Sequence, residues 1–318
     1  MKKTIFIQDE NALWLKGNIH SHTVFSDGHW TPEQMKAQYR SHGYDFLAVT
    51  DHDVYTDTRA LTDDTFTMIQ GFELWGNAAS NDKDIHINFL WADAIEGVEP
   101  GQKMSLPHRT GKDCMELCYR LKEKGAYIML NHPHWSFLTS PEIEDKNPYD
   151  AVEIMNYATE WLENMGDGSV FWTEMLVRGC HMWNGGSDDN HNGHCPIDGD
   201  VDNMYCDSFG GFTVVKAADR SPRAIMEAMK TGSFYTSTGP SIYDFYVEDG
   251  YVHVKCSPCI RIYINGNARQ YQRKLGRHVT EFVTKLKGTE TFIRAECMDA
   301  AGRSAWSNPI WLDGSGEK

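Results

Sequence analysis

Phe46-Leu47-Ala48-Val49-Thr50-Asp51-His52-Asp53 is an apolar run of strand length that ends abruptly in three titratable residues. An apolar run without polar alternation is expected of a strand covered on both faces, the usual state of parallel strands flanked by helices. Barrels built from such strands place their chemistry at the strands' carboxyl ends. The same form recurs on either side of this stretch. Asn18-Ile19-His20-Ser21-His22 runs into a loop carrying Asp27-Gly28, and Gly71-Phe72-Glu73 ends in a carboxylate. Asp84-Ile85-His86, Ile128-Met129-Leu130-Asn131-His132-Pro133-His134 and Gly185-Gly186-Ser187-Asp188-Asp189-Asn190-His191 complete the set.

Between these runs lie helical patterns. Thr31-Pro32-Glu33 has the form of a helix start and Gly43 that of its end; further helices are predicted over Lys112–Lys124, Glu160–Val177 and Ser221–Lys230. Strands are predicted at Asn18–His22, Phe46–Thr50, Phe66–Glu73, Ile85–Trp91, Ala126–Asn131, Ala151–Asn156, His181–Gly185 and Phe212–Lys216. About seven strand–helix repeats without a glycine-rich nucleotide loop predict an α/β barrel of parallel strands. After Thr238-Gly239-Pro240 the pattern changes to short β-rich runs broken by Asp-Gly, Asn-Gly and Gly-Arg turns. The expected division is therefore a barrel over 1–240 and a small antiparallel β-sandwich over 241–318, with a frayed tail from Asp313.

Composition narrows the partners. A formal charge of −15 over 318 residues repels nucleic-acid polymers and anionic membranes, although bound divalent cations could invert the field locally for a small phosphorylated substrate. The opening Met1-Lys2-Lys3-Thr4-Ile5-Phe6-Ile7 resembles a secretory leader, but its apolar run stops at Gln8-Asp9-Glu10. A cytoplasmic protein with reduced thiols is the expectation. Cys114 and Cys118 read as packing residues of a helix, and Cys256-Ser257-Pro258-Cys259 is a lone CxxC.

Twelve of the fourteen histidines precede residue 195. Two at i, i+2 on an extended segment, as His20 and His22 are, face the same way and can bind one ion. A lone histidine at a strand end is ordinarily structural. Six polar groups ending successive strands are not explained by packing, because burying them without metal or dense hydrogen bonding costs too much.

The motifs His20-Ser21-His22 with Ser26-Asp27-Gly28, Thr50-Asp51-His52-Asp53, Glu73, His86, His132-Pro133 and Asp189-Asn190-His191 resemble, in order, those of the polymerase and histidinol phosphatase (PHP) superfamily of metallohydrolases. The resemblance spans residues 16–240. Ala218 to Pro240 with the β-rich tail is similar to its stand-alone bacterial branch. The resemblance implies a distorted seven-stranded (β/α) barrel holding two or three divalent ions. One ion would take His20, His22, Glu73 and Asp189; a second Glu73, His86 and His132; a third Asp27, His52 and His191. Imidazole and carboxylate without thiolate suits catalytic Zn, Mn or Fe.

The chemistry expected is hydrolysis by a metal-bound hydroxide, first of a small phosphomonoester or nucleotide, with a carboxylic or carbamate ester as the rival. A non-catalytic, metal-stabilised binding module is a third reading. His134 and His191 are candidates to protonate the leaving group. Asp51, Asp53, Thr50 and Asn131 read as residues that orient ligands. Arg109, Arg178, Arg220 and Arg223 are candidate phosphate clamps, and Trp75 and Trp135 candidate substrate walls. Arginines beside the metals would favour phosphate; an arginine-free pocket would favour the rival.

Overall fold

A computed structural model describes residues 2–77, 83–143, 148–195, 205–267 and 272–312; the expected frayed tail lies outside them. The strands are β1 (Lys3–Thr4), β2 (Leu13–Asn18), β3 (Phe46–Ala48), β4 (Thr67–Asn77), β5 (Asp84–Trp91), β6 (Tyr127–Leu130), β7 (Ala151–Asn156), β8 (Trp183–Ser187) and β9 (Phe212–Ala217). They continue as β10 (Phe234–Ser237), β11 (Ile242–Glu248), β12 (Tyr251–Gly266), β13 (Gln272–Lys285), β14 (Phe292–Met298), β15 (Ser304–Ser307) and β16 (Ile310–Trp311). The helices are α1 (Pro32–Ser41), α2 (Gly111–Glu123), α3 (Tyr157–Glu163), α4 (Ser169–Val177) and α5 (Pro222–Lys230). No described helix is long and apolar enough to cross a membrane.

The architecture is mixed α/β around one large sheet. Its hydrogen-bonded order is β1-β11-β12-β14-β15-β10-β9-β2-β3-β4-β5-β6-β7-β8, with β13 on β12 and β16 on β14. Strands β2, β3 and β4 pair in parallel, as do β6, β7 and β8. The expectation of uniformly parallel strands needs correction at two places. β5 is antiparallel to both β4 and β6, and β9 is antiparallel to β2. β5 follows β4 closely in sequence, and so short a connection favours a hairpin over a crossover. Reversal has a useful effect: His86 near the start of β5 comes to the same edge as the ends of the parallel strands.

The local signals explain the helices. Thr31 Oγ1 accepts from Gln34 N and Gln34 Oε1 accepts from Thr31 N, so α1 begins in a capping box. Ser221 caps α5 ahead of Pro222. The single helix expected over Glu160–Val177 is instead two. Asn164 takes a left-handed φ of 57°, and a Cβ on Gly166 would stand 2.1 Å from Asn156 O. The predicted strand at His20 and His22 also stops short, since β2 ends at Asn18 and the two histidines lie just beyond. Cys114 and Cys118 are buried on α2. In the β-rich region, where only short runs were expected, β12 is one long strand of 16 residues, and its pairing with β13 shifts register between Lys255 and Arg261.

Apolar residues from the strands and α5, among them Leu15, Ile19, Phe46, Ile69, Met129, Val215 and Ile225, form a buried cluster. A separate cluster, including Phe245, Val254, Ile262 and Ala295, fills the β-rich region.

Candidate metal centre

Glu73 is the organising residue. It lies within β4, fully buried, and its backbone is clamped by Glu73 N to Asp51 O at 3.2 Å and Asp53 N to Glu73 O at 2.7 Å. Five imidazoles from four separate segments crowd its carboxylate. Oε1 is 3.3 Å from His20 Nε2, 3.1 Å from His86 Nδ1 and 3.6 Å from His132 Nε2. Oε2 is 3.0 Å from His52 Nδ1, and also 3.3 Å from His22 Nε2. Asp189 Oδ1 completes a tight group, 3.0 Å from His20 Nε2 and 2.9 Å from His22 Nε2. Asp27, more exposed, faces His22 Nδ1 at 3.7 Å, His52 Nε2 at 3.6 Å and His191 Nε2 at 3.5 Å.

Three sets of these donors are compact enough to hold a cation: His20, His22, Glu73 and Asp189; His22, Asp27, His52 and His191; and His52, Glu73 and His86. The first coincides with the set implied by the resemblance. The second adds His22 to the expected third set. The last has His52 where His132 was expected, with His132 Nε2 3.6 Å from Glu73 and 3.9 Å from Asp189 Oδ2.

The electrostatics follow from this crowding. Burial alone would raise the Glu73 carboxyl, but His20, His86 and His52 hold it well below the usual carboxylate value. Burial disfavours charge on His20, yet Asp189, Glu73 and Glu153 raise its pKa well above normal. His52 and His191 are likewise raised to about 9: burial opposes the shift, but Glu73 lifts the first and Asp27 the second. Burial lowers His86. Two buried atoms at the centre, Glu73 Oε2 and His52 Nδ1, make no hydrogen bond. An orphaned carboxylate oxygen among imidazoles is costly unless a cation takes it up, so the donor set fits divalent metal. The backbone is also strained here, with positive φ at His132 (24°), Asp189 (53°) and Asp53 (58°).

No family model matches the chain. Among solved structures, it is similar to a crystal structure from Bacteroides vulgatus, described as a two-domain protein containing a predicted PHP-like metal-dependent phosphoesterase. The match covers 98% of both chains at 16% identity, with a TM-score of 0.51. The chain has a PHP-like fold. An uncharacterized protein of Methanocaldococcus jannaschii is 25% identical over 182 residues, which is 54% of this chain and 72% of that protein. An amidohydrolase from Chromobacterium violaceum covers 63% of this chain and 97% of its own at 13% identity; its TM-score of 0.38 is too low to bear on the fold.

Around the cluster, Thr50 Oγ1 accepts from Ser21 N at 3.0 Å, fixing the residue between His20 and His22. Asn131 Nδ2 donates to Glu73 Oε1 at 2.7 Å. Asp51 touches no histidine; it accepts from Thr23, Ser26 and Thr56 and so braces the loop that carries Asp27. Asp53 is held by Arg109 in a two-pronged ion pair, at 3.1 and 2.5 Å. That removes Arg109 as a phosphate clamp, and Trp75 packs against it, with the guanidinium 5.1 Å from the ring. Arg220 pairs with Asp45 and Arg223 with Asp93, while Arg178 is exposed at the end of α4.

A cavity of about 420 Å³ opens over the cluster, lined by Asp27, His191, His194, Trp135, Leu162 and Glu163 among others. His134 is exposed and is not one of its lining residues. The turn after His132, closed by Ser136 N to His132 O and Phe137 N to His134 O, carries it away.

Sequence reasoning missed Glu153. This fully buried carboxylate on β7 places Oε1 3.0 Å from His20 Nδ1 and accepts from Ser187 Oγ. Its Oε2 accepts from His132 N and Asn156 Nδ2, both at 2.9 Å. Asn156 donates the other way to Asp189 Oδ2 at 2.9 Å. One acid inside the apolar strand Ala-Val-Glu-Ile-Met-Asn was the available signal, since an unpaired charge does not stay in such a strand.

Proposed function

We propose that this chain is a metal-dependent hydrolase of the PHP superfamily. Its architecture would be a distorted seven-stranded barrel over 1–240 with a small β-sandwich over 241–318. In favour of closure, Thr213 Oγ1 on β9 bonds both N and O of Gly186 on β8. The observation that carries the reading is Glu73 Oε2, a buried acceptor without a hydrogen bond amid imidazoles from separate segments. His20, His22, Glu73 and Asp189 would hold one ion; Glu73, His86 and His132, with His52 close by, a second; and Asp27, His52 and His191 a third.

Zn, Mn or Fe bound there would acidify a water and neutralise charge developing on the substrate. The chain's own residues supply the rest. Glu153 and Asn131 fix the imidazole and carboxylate orientations. Trp135 walls the cavity and holds Glu163 at its mouth through a 2.8 Å bond from Nε1. Where the third ion is weakly held or absent, His191 would instead keep a proton on Nε2 for the leaving oxygen, because its Nδ1 is already bonded to Asp189 O.

A small phosphomonoester is the leading substrate. One observation favours the carboxylic or carbamate ester instead: the described residues lining the cavity include no lysine or arginine. The test is elemental analysis of the purified protein, followed by a phosphoester and carboxylic-ester panel with each metal restored. Bound metal with hydrolysis of either ester supports the reading. Metal-free protein that no metal activates would overturn it.

A further inference from the structure

Cys195 and Cys206 both follow His191 in the sequence, and their sulfurs are 2.7 Å apart. Two unbonded sulfurs do not ordinarily approach so closely, whereas a disulfide bond spans ~2.05 Å. Both side chains are buried in an apolar cluster with Trp30, Met35 and Tyr39. Neighbouring bonds fix both backbones. Trp30 Nε1 donates to Cys195 O at 3.0 Å, and Cys195 N to Asn192 O at 3.3 Å. Asp207, next to Cys206, accepts from His191 N at 2.7 Å and from Asn192 N at 3.1 Å. The two thiols therefore face each other across a backbone already cross-braced by hydrogen bonds. The other cysteines are also buried, and Cys256, Cys259 and Cys297 form a second group of mutually hydrogen-bonded thiols in the β-rich region.

We propose that Cys195 and Cys206 are a cross-linking site, joined by a disulfide that closes the chain beside the His191 corner of the cavity. Burial raises both thiols in the folded protein, so the bond is made during folding, while the chain is open. The oxidant is a small-molecule disulfide. One protein thiolate attacks a sulfur of that disulfide and expels one thiolate, leaving a mixed disulfide. The second cysteine then displaces the other thiolate. The protein loses two electrons and two protons, and the oxidant becomes two thiols. The proposal does not depend on what the site hydrolyses.

The test is to unfold the full chain in denaturant with chelator and refold it across a series of reduced-to-oxidised glutathione ratios. Samples are quenched in acid, alkylated and measured by mass. The expected product is two hydrogens lighter, keeps six alkylatable thiols of the eight in the sequence, and shows the link in the peptide bearing Cys195 and Cys206. Cys195→Ser and Cys206→Ser should each abolish it, while Cys259→Ser leaves it intact. Eight alkylated thiols at every ratio would sink the proposal. So would a link mapped to Cys256 and Cys259, or a pair protected only by a metal that chelator strips away.

Discussion

Glu73 carries more of this site than any other side chain, because each oxygen faces imidazoles from different segments. Glu73→Ala should leave less than one equivalent of metal by elemental analysis and no measurable turnover; full activity in that variant would rule out its bridging position. Glu153 works at one remove, through His20 Nδ1. Carboxylates that hold the far nitrogen of a metal-facing histidine change metal affinity by roughly 10- to 100-fold. Glu153→Gln is thus expected to weaken binding by that factor in a competition titration with a coloured chelator, while far-ultraviolet dichroism stays unchanged. Protons compete for the same nitrogens. His52 and His191, raised to about 9 in the metal-free protein, must each give up a proton to coordinate. Affinity at that corner should therefore rise with pH up to about 9 and then level off. An affinity flat between pH 6 and pH 9 would contradict the raised values.

The strand ends were legible because apolar runs stop at polar residues, as Leu47-Ala48-Val49 does before Asp51 and His52. Other elements were not. The direction of β5 depends on which strand it pairs with, and nothing in Ile85–Trp91 itself records that choice. Glu153 left a signal, a lone acid between Val152 and Ile154, but it lies inside a strand and not at a strand end, where the polar groups were sought. The break between α3 and α4 could have been read from Asn164-Met165-Gly166-Asp167-Gly168, where an overall apolar pattern outweighed two glycines. Gly166 tests that break. Its missing side chain lets the turn press against Asn156 O and Glu160. Gly166→Ala should displace Asn156, which holds both Glu153 and Asp189. We expect destabilisation of ~1–3 kcal/mol by overpacking, read from urea denaturation, together with weakened metal binding. The loss of stability without any change in metal affinity would show that Asn156 does not transmit the strain.

For the whole molecule, ligand binding to the folded state alone adds stability by mass action, about 2.7 kcal/mol at a hundredfold excess over Kd. Chelation should lower the melting temperature, and restored metal should recover it; indifference to chelator would mean that the cluster holds no ion. His253, stacked on Tyr246 far from the cavity in sequence and in sheet order, is the control: His253→Ala should leave metal content unchanged. Arg294 is another kind of link between distant parts of the chain, buried over Trp172 of α4 and bonded to Thr173 Oγ1 at 3.0 Å.

The sheet's connectivity bears on how the chain is made. The outer edge of β10 is closed by β15, whose residues 304–307 are synthesised about seventy positions later, and β1 waits for β11 in the same way. While the ribosome is still working, the half that carries the histidines therefore exposes an unpaired strand edge. Such an edge is a template for pairing between neighbouring nascent chains. Slow translation between 240 and 304 would lengthen that exposure, and chaperone demand should peak there.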